Sequence, residues 1–409
     1  MSASPTTLDS SRPARHVLTP ALIAVLAALS AFAPLSVDMY LPALPAMSAD
    51  FRVSHADTQL TLTSFMIAFG LGQIFYGPLG DRFGRRPVML AGIAIYLLAS
   101  LACAYAARIE HLVALRFVQG LGACAGVVMA RAMVRDLAER DRAAQVMSVM
   151  MACVSIAPML APLIGALVFD LAGWRAIFWT LAAFGLGALL IGLLGVRETL
   201  RPEHRAPLAL SAVLARFGQL LRTRDFMGYA MAPAFMFGTM MAFISGSPFV
   251  YIDHYGLAPS QYAWLFAANV VAMTLGSTLN SRLVPRYGAD ALLRRAAIAP
   301  ALTGAAMIVC GFIEMRTGAL GLTPFIPLTV LMVGCLSLIL PNANACAMQR
   351  YPHMAGTAAS LLGVVQFGTG AVFGTLVGHL LDGTIWPMAA AMGIGGVLCF
   401  VSHRLLAPR

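Results

Sequence analysis

Asp38 is an acid set among apolar residues. It lies in LSVDMYLPALP, residues 35–45, at the close of the first long apolar run, with Pro42 four residues on and Pro45 beyond it. A carboxyl group in such a place is suited to one kind of chemistry, taking up a proton and releasing it again. It is the only acid well inside any apolar run of the chain. Arg116 is the basic residue inside a run, near one end of LRFVQGLGACAGVVMARA, residues 115–132. An arginine in mid-membrane costs about 2.5–3.5 kcal/mol on insertion scales and marks function by default; the bland alternative is an arginine snorkelling to the interface. A third set of charges lies in GPLGDRFGRRPVML, residues 77–90, where Asp81 and Arg85 are four apart and can share one side of a helical turn. Enzyme chemistry is missing. The eight histidines form no HxxxH pair, and no Ser/His/Asp or Cys/His set converges in the sequence. Cys103, Cys124, Cys153, Cys310, Cys335, Cys346 and Cys399 all fall in apolar runs, without CxxC or metal spacing, and read as small packing residues. The expectation is no catalytic residue, no metal site and no cofactor.

These residues are carried on helices for a bilayer. Of 409 residues, 60% are hydrophobic and 11% charged, with mean hydropathy +0.82. Soluble domains run near 25% charged, so a chain of this composition is a polytopic membrane protein. Its net charge of +10 would point a soluble protein toward nucleic acid. Here the arginines fall between apolar runs, so topology explains them and no nucleic-acid partner is expected. All 27 basic residues are arginine, which with the heavy use of Ala and Gly hints at a GC-rich bacterial genome.

Twelve runs are long enough to span, near 17–45, 57–79, 87–107, 111–133, 144–168, 175–195, 227–250, 260–283, 295–314, 322–347, 357–381 and 384–405. Arginine placement orients them. With the N-terminus inside, 22 arginines lie on the inner side and four, Arg52, Arg108, Arg175 and Arg316, on the outer side. Both termini are therefore expected in the cytoplasm. Residues 1–16 read as a polar cytoplasmic tail. A signal peptide is disfavoured, because Pro34 follows the Ala31-Phe32-Ala33 cleavage-like site and eleven further runs need a first span. The predicted organisation is a tail at 1–16, six helices over 17–195, a cytoplasmic linker at 196–226 and six helices over 227–405. The linker holds an amphipathic pattern (Leu210, Val213, Leu214, Phe217, Leu220, Leu221), read as a helix lying along the inner membrane surface. The halves repeat weakly. Asp170-x-x-x-Trp174 and Asp382-x-x-x-Trp386 are offset by 212 residues, and Arg82-Phe-Gly84 and Arg286-Tyr-Gly288 by 204.

Positive-inside anchoring accounts for Arg82, Arg85 and Arg86 but not for Gly77, Gly80, Gly84 and Asp81. This loop resembles the signature G-x-L-x-D-R-x-G-R-R of the major facilitator superfamily. The resemblance implies twelve transmembrane helices in two six-helix halves with pseudo-twofold symmetry, all-α, and alternating inward and outward states. It implies a cytoplasmic gate made by Gly77, Asp81, Arg82, Gly84, Arg85 and Arg86, joined by Asp136 at the inner end of the fourth span, with Asp81 at the N-terminus of the eleventh helix. R-x-x-Q-G-x-G at Arg116 resembles the family's second signature and implies proton coupling there. SIAPMLAPLIGALVFDLAGWR (155–175) resembles its antiporter signature G-P-x-x-G-G, carried by Ala161, Pro162 and Gly165, with alanines (Ala161 and Ala166) replacing two glycines. The alternative for that helix is a generic kinked packing helix.

Polar residues inside other runs include Gln73, Asn269, Asn280, Asn342, Asn344 and Gln366; most such residues hydrogen-bond between helices. Tyr40, Gln73, Phe235, Met240, Asn342 and Gln366 are the expected substrate-cavity residues. The Met- and Phe-rich seventh run is either lipid-facing bulk or an adaptable wall for varied drugs. DMYLPALP, SPFVY in the seventh run and PNAxA in the tenth narrow the resemblance to Bcr/CflA-type multidrug exporters. That resemblance implies exchange of amphipathic drugs, bicyclomycin- or chloramphenicol-like, for protons across a bacterial inner membrane by a monomer. A proton-coupled metabolite symporter shares the fold, but the APxxG helix disfavours it; a passive facilitator needs no Asp38, and a channel no two-half latch.

Overall fold

No water reaches the hydrocarbon core, so a spanning backbone must satisfy its own N–H and C=O groups, and the helix does this within one segment. A computed structural model of the chain describes residues 20–137, 140–200, 202–205, 210–351 and 354–406. The polar tail at 1–16 and the start of the first run lie outside the described residues. Among the described residues, eleven helices are long and apolar enough to cross a bilayer. In chain order the spans are the first, Leu22–Phe51; second, His55–Phe83; third, Arg85–Ala104; fourth, Ile109–Leu137; and sixth, Trp174–Gly195. After the linker come the seventh, Arg224–His254; eighth, Pro259–Tyr287; ninth, Ala289–Thr317; tenth, Phe325–Arg350; eleventh, Gly356–Leu380; and twelfth, Trp386–Leu406. The fifth is the helix Arg140–Ala172, whose described apolar part is Ile156–Ala172. Six helices thus precede the linker and six follow it. Among the described residues there is no strand.

Some of these helices break at proline and others run through it. The first span is α-helical over Phe32–Asp38, turns, forms a 3-10 segment at Leu41–Ala43 and resumes as α-helix at Leu44–Phe51. Pro45 falls in the first turn of that last piece, where no intrahelical donor is needed. The fifth helix instead runs on as one helix through Pro158 and Pro162, and the tenth through Pro341. The seventh ends in a π-helical turn, Phe249–His254, just after Pro248.

The internal repeat surfaces as backbone geometry. Gly84 (φ 102°) and Gly288 (φ 76°) hold the turns after the second and eighth spans in a conformation open to glycine. Each turn is braced by an acid and an arginine four apart, Asp81 with Arg85 at 2.6 Å and Asp290 with Arg294 at 3.2 Å. The linker contributes a helix, Leu210–Leu221, which buries Phe217 and Leu220 and packs on the second, seventh and eleventh spans.

Candidate functional site

Asp38 ends an α-helical segment and is 4% exposed. Among the described residues its carboxyl group has no hydrogen bond and no ion pair. The break that follows it packs on three helices, the fifth from its own half and the seventh and eighth from the other. Across that junction Asp38 lies within electrostatic reach of Tyr262 on the eighth span, whose hydroxyl pairs with Ser247 Oγ at 3.1 Å. The acid is therefore at the contact between the halves. On the fifth helix, Gly165 faces the Met39 carbonyl, and a Cβ there would overlap that oxygen. Gly165→Val is expected to push the fifth helix off the break and reduce export to background, while Ala166→Gly is tolerated. Paired resistance assays on membranes with matched protein levels check this.

Arg116 is wholly buried, which removes the snorkelling alternative. Its guanidinium donates to Gln119 Oε1 at 2.5 Å, Ser36 O at 2.8 Å and Thr61 O at 3.4 Å. It also stacks over Tyr40 and Phe65, each 4.5 Å to the ring centre. Gln119 donates onward to Ser100 Oγ at 2.7 Å, and Ser36 Oγ pairs with Tyr96 Oη at 2.8 Å. Arg116 thus ties the first four spans together just before the Asp38 break, through backbone oxygens and an amide. It makes no ion pair with Asp38.

The charged turn forms a cluster inside the first half. Arg85 is bound by Asp81 at 2.6 Å and by Asp136 at 3.0 Å. Glu198, just past the sixth span, accepts from the backbone N–H of Arg85 (2.9 Å) and Arg86 (3.2 Å) and so caps the third span. A Cβ on Gly84 would meet this carboxylate, whereas Gly77 has open space around it. Arg86 also donates to Leu193 O at 2.9 Å, and Arg82 lies over its neighbour Phe83. In this state Asp81 does not meet the eleventh helix; its partner is Arg85.

The reason is which side is shut. Among the described residues, every hydrogen bond and ion pair between the halves lies at the arginine-poor end. Gln59 donates to Ser245 O, Thr375 Oγ1 to Thr63 Oγ1 at 3.1 Å, and His55 stands 3.7 Å from Asp253. Phe69 and Phe367 meet at 4.7 Å further in. Among the described residues, the halves share no such contact at the arginine-rich end.

The expected cavity residues separate. Tyr40 is a correction. It is fully buried, lies under Arg116 and pairs with Thr61 at 3.3 Å, so it packs within its own half instead of lining a wall. Asn342 is held by Asn280 and Leu338 O, both at 2.7 Å. Gln73 lies against Gly363 of the eleventh span, and Phe235 stands 6.4 Å from Phe373. Met240 is half-buried. Gln366 Nε2 and Asn344 Oδ1 are buried without a partner, which makes them free to bond a ligand. Sequence reasoning missed Gln59, His55, Asp253, Ser245, Tyr262 and Glu198. They belong to no local motif, and their pairing is set by the packing of distant spans.

The family model described as Major Facilitator Superfamily matches residues 26–375. The chain belongs to the major facilitator superfamily. It is 37% identical to a bicyclomycin resistance protein homolog of Haemophilus influenzae, over 95% of this chain and 96% of that one. It is 31% identical to a chloramphenicol resistance protein of Pseudomonas aeruginosa (90% and 86% covered). With multidrug resistance protein D of Escherichia coli the figure is 29% (93% and 95% covered). A crystal structure of a D-xylose-proton symporter superposes with TM-score 0.74 at 15% identity, over 95% of this chain and 98% of that one, and so shares the fold. Members of this superfamily are in general transporters and not enzymes, and the chain is a multi-pass membrane protein of that fold.

Proposed function

We propose that this chain exports small amphipathic drugs, of the bicyclomycin or chloramphenicol kind, in exchange for protons. The observation that carries the reading is Asp38, a buried carboxyl group without a partner at the junction of the two halves in a transporter whose relatives are named for drug resistance. A carboxylate closed off from water with no cation beside it is costly. Closing the arginine-poor end over Asp38 therefore favours its protonated form, and losing the proton favours a state in which water reaches it. Arg116 holds the backbone beside the acid. Asp81, Arg82, Arg85, Arg86 and Asp136, with the glycines between them, gate the arginine-rich end, which is the cytoplasmic one. Gln73, Phe235, Met240 and Gln366 face the drug. Both termini lie in the cytoplasm of a bacterial cell, the chain acts as a monomer in its inner membrane, and the proton gradient takes the place of any cofactor.

Adding chloramphenicol to energised inverted vesicles that carry the protein is expected to release protons, read with a pH-sensitive dye. A drug flux without proton movement, in a sealed and energised preparation, would leave a facilitator.

A further inference from the structure

Gln59 is a polar side chain seated in the opposite half. It lies on the second span, one turn inside the Ser54 cap, and is 1% exposed. Its amide donates to Ser245 O on the seventh span. On the eleventh span it lies against Gly378. Apart from that glycine's own helix, the three atoms nearest to a Cβ added there all belong to Gln59. One turn along, the contact continues. Thr63 pairs with Thr375 at 3.1 Å, and Gly374 lies against Ser245 Oγ. One span of the first half and two of the second thus meet at Gln59, at the arginine-poor end.

Nothing in the backbone asks for glycine at residue 378. It sits inside the helix Ala355–Leu380 without a positive φ, and a helical glycine costs stability against alanine. What the missing Cβ supplies is room, and the room is filled from across the interface. Bulk added there meets the first half before it meets its own. The closed contact also carries a penalty. Gln59 Oε1 and Ser245 Oγ are buried and have no partner among the described residues, whereas water satisfies both once the spans part. Closing this end therefore depends on fit, and a small loss of room shifts it.

We propose that Gly378 is a positioning residue for the transport cycle. It is the seat that Gln59 enters when the arginine-poor end closes and leaves when that end opens, so the space at residue 378 sets the balance between the two states. Gly374 gives Ser245 the matching room, one turn away. The proposal goes beyond drug and proton: it rests on alternation between two states, and not on what is carried or what drives it.

The test reads which end is open, in membranes with no drug and no gradient. Thr63→Cys, at the contact between the halves, is labelled from the arginine-poor side with a membrane-impermeant maleimide; the chain without that change gives the background. Gly378→Ala, the milder change, is expected to raise the labelling rate severalfold, and Gly378→Val about tenfold or more. Gln59→Ala empties the seat, so in that chain Gly378→Ala leaves the rate within about twofold. Labelling of Gly77→Cys from the arginine-rich side does not rise with either change at residue 378, which separates a shifted balance from a loosened fold. Three outcomes overturn the proposal: both Gly378 variants label like the glycine chain, the effect of Gly378→Ala persists in full without Gln59, or labelling rises at both ends. The readout uses neither drug nor proton gradient, so drug–proton exchange can fail while it holds, and the reverse.

Discussion

Asp38→Asn is expected to give a protein that folds, inserts and still binds drug, but confers no more resistance than an empty vector. Asparagine has nearly the same shape as the protonated acid and cannot give its proton up. The Asp38 carboxyl group has no partner to lose, so the change leaves little behind to destabilise the fold. What it removes is the link between protonation and which end is open. Drug uptake into inverted vesicles should therefore stop responding to the proton gradient, while drug binding to purified protein stays within about twofold, well under 1 kcal/mol. With one titrating acid per cycle, a neutral drug would move electrogenically and a monovalent cation without net charge. Full resistance together with gradient-dependent uptake by the asparagine variant would remove Asp38 from the mechanism.

The second large effect is expected at Arg116, and it should appear in stability as well as transport. Arg116→Ala leaves Gln119 Oε1 and the carbonyls of Ser36 and Thr61 without their donor in a closed interior. Each orphaned acceptor costs about 1–3 kcal/mol, and the void under Tyr40 and Phe65 adds to that. Thermal unfolding in detergent should shift down strongly, with export lost. Arg116→Lys keeps the charge, but one ammonium cannot reproduce a planar fork that spans three acceptors and stacks between two rings. It should fold better than the alanine variant and export at a small fraction of the normal rate. If the lysine variant matches the unaltered protein in both measurements, the arginine supplies charge alone.

Much of this was legible from residue patterns. Apolar runs, separated by arginines, give the helices because the bilayer leaves the backbone no other choice. Asp38 stands out because an acid in such a run needs a reason. The charged turn stands out because positive-inside anchoring leaves its glycines and Asp81 unexplained, and the structure gives Gly84 a positive φ there. The string around Arg116 includes Gln119, which is its hydrogen-bond partner. What the sequence hid was pairing across distance. Gln59 with Ser245 and His55 with Asp253 join spans far apart in the chain, and polar residues near span ends are too common to single these out. Glu198, which no sequence motif marks, caps the third span. Tyr40 is an expected cavity residue, but the turn after Asp38 swings its ring under Arg116.

The seal at the arginine-poor end is thin in polar terms, and its thinness matches the size of the driving force. Among the described residues, two hydrogen bonds and one loose His–Asp pair join the halves there. At about 0.5–1.5 kcal/mol net for each hydrogen bond, and less for the half-exposed pair, these polar contacts contribute a few kcal/mol to holding the end shut. Moving one elementary charge down a membrane potential releases about 2.3 kcal/mol per 100 mV. Reversing a two-state equilibrium from 1:99 to 99:1 takes about 5.5 kcal/mol. These quantities are of one order, so under the proposed exchange one proton per cycle is on the scale of the polar contacts it has to break. A tighter seal, built from several buried ion pairs, would hold one end shut against anything one proton can supply.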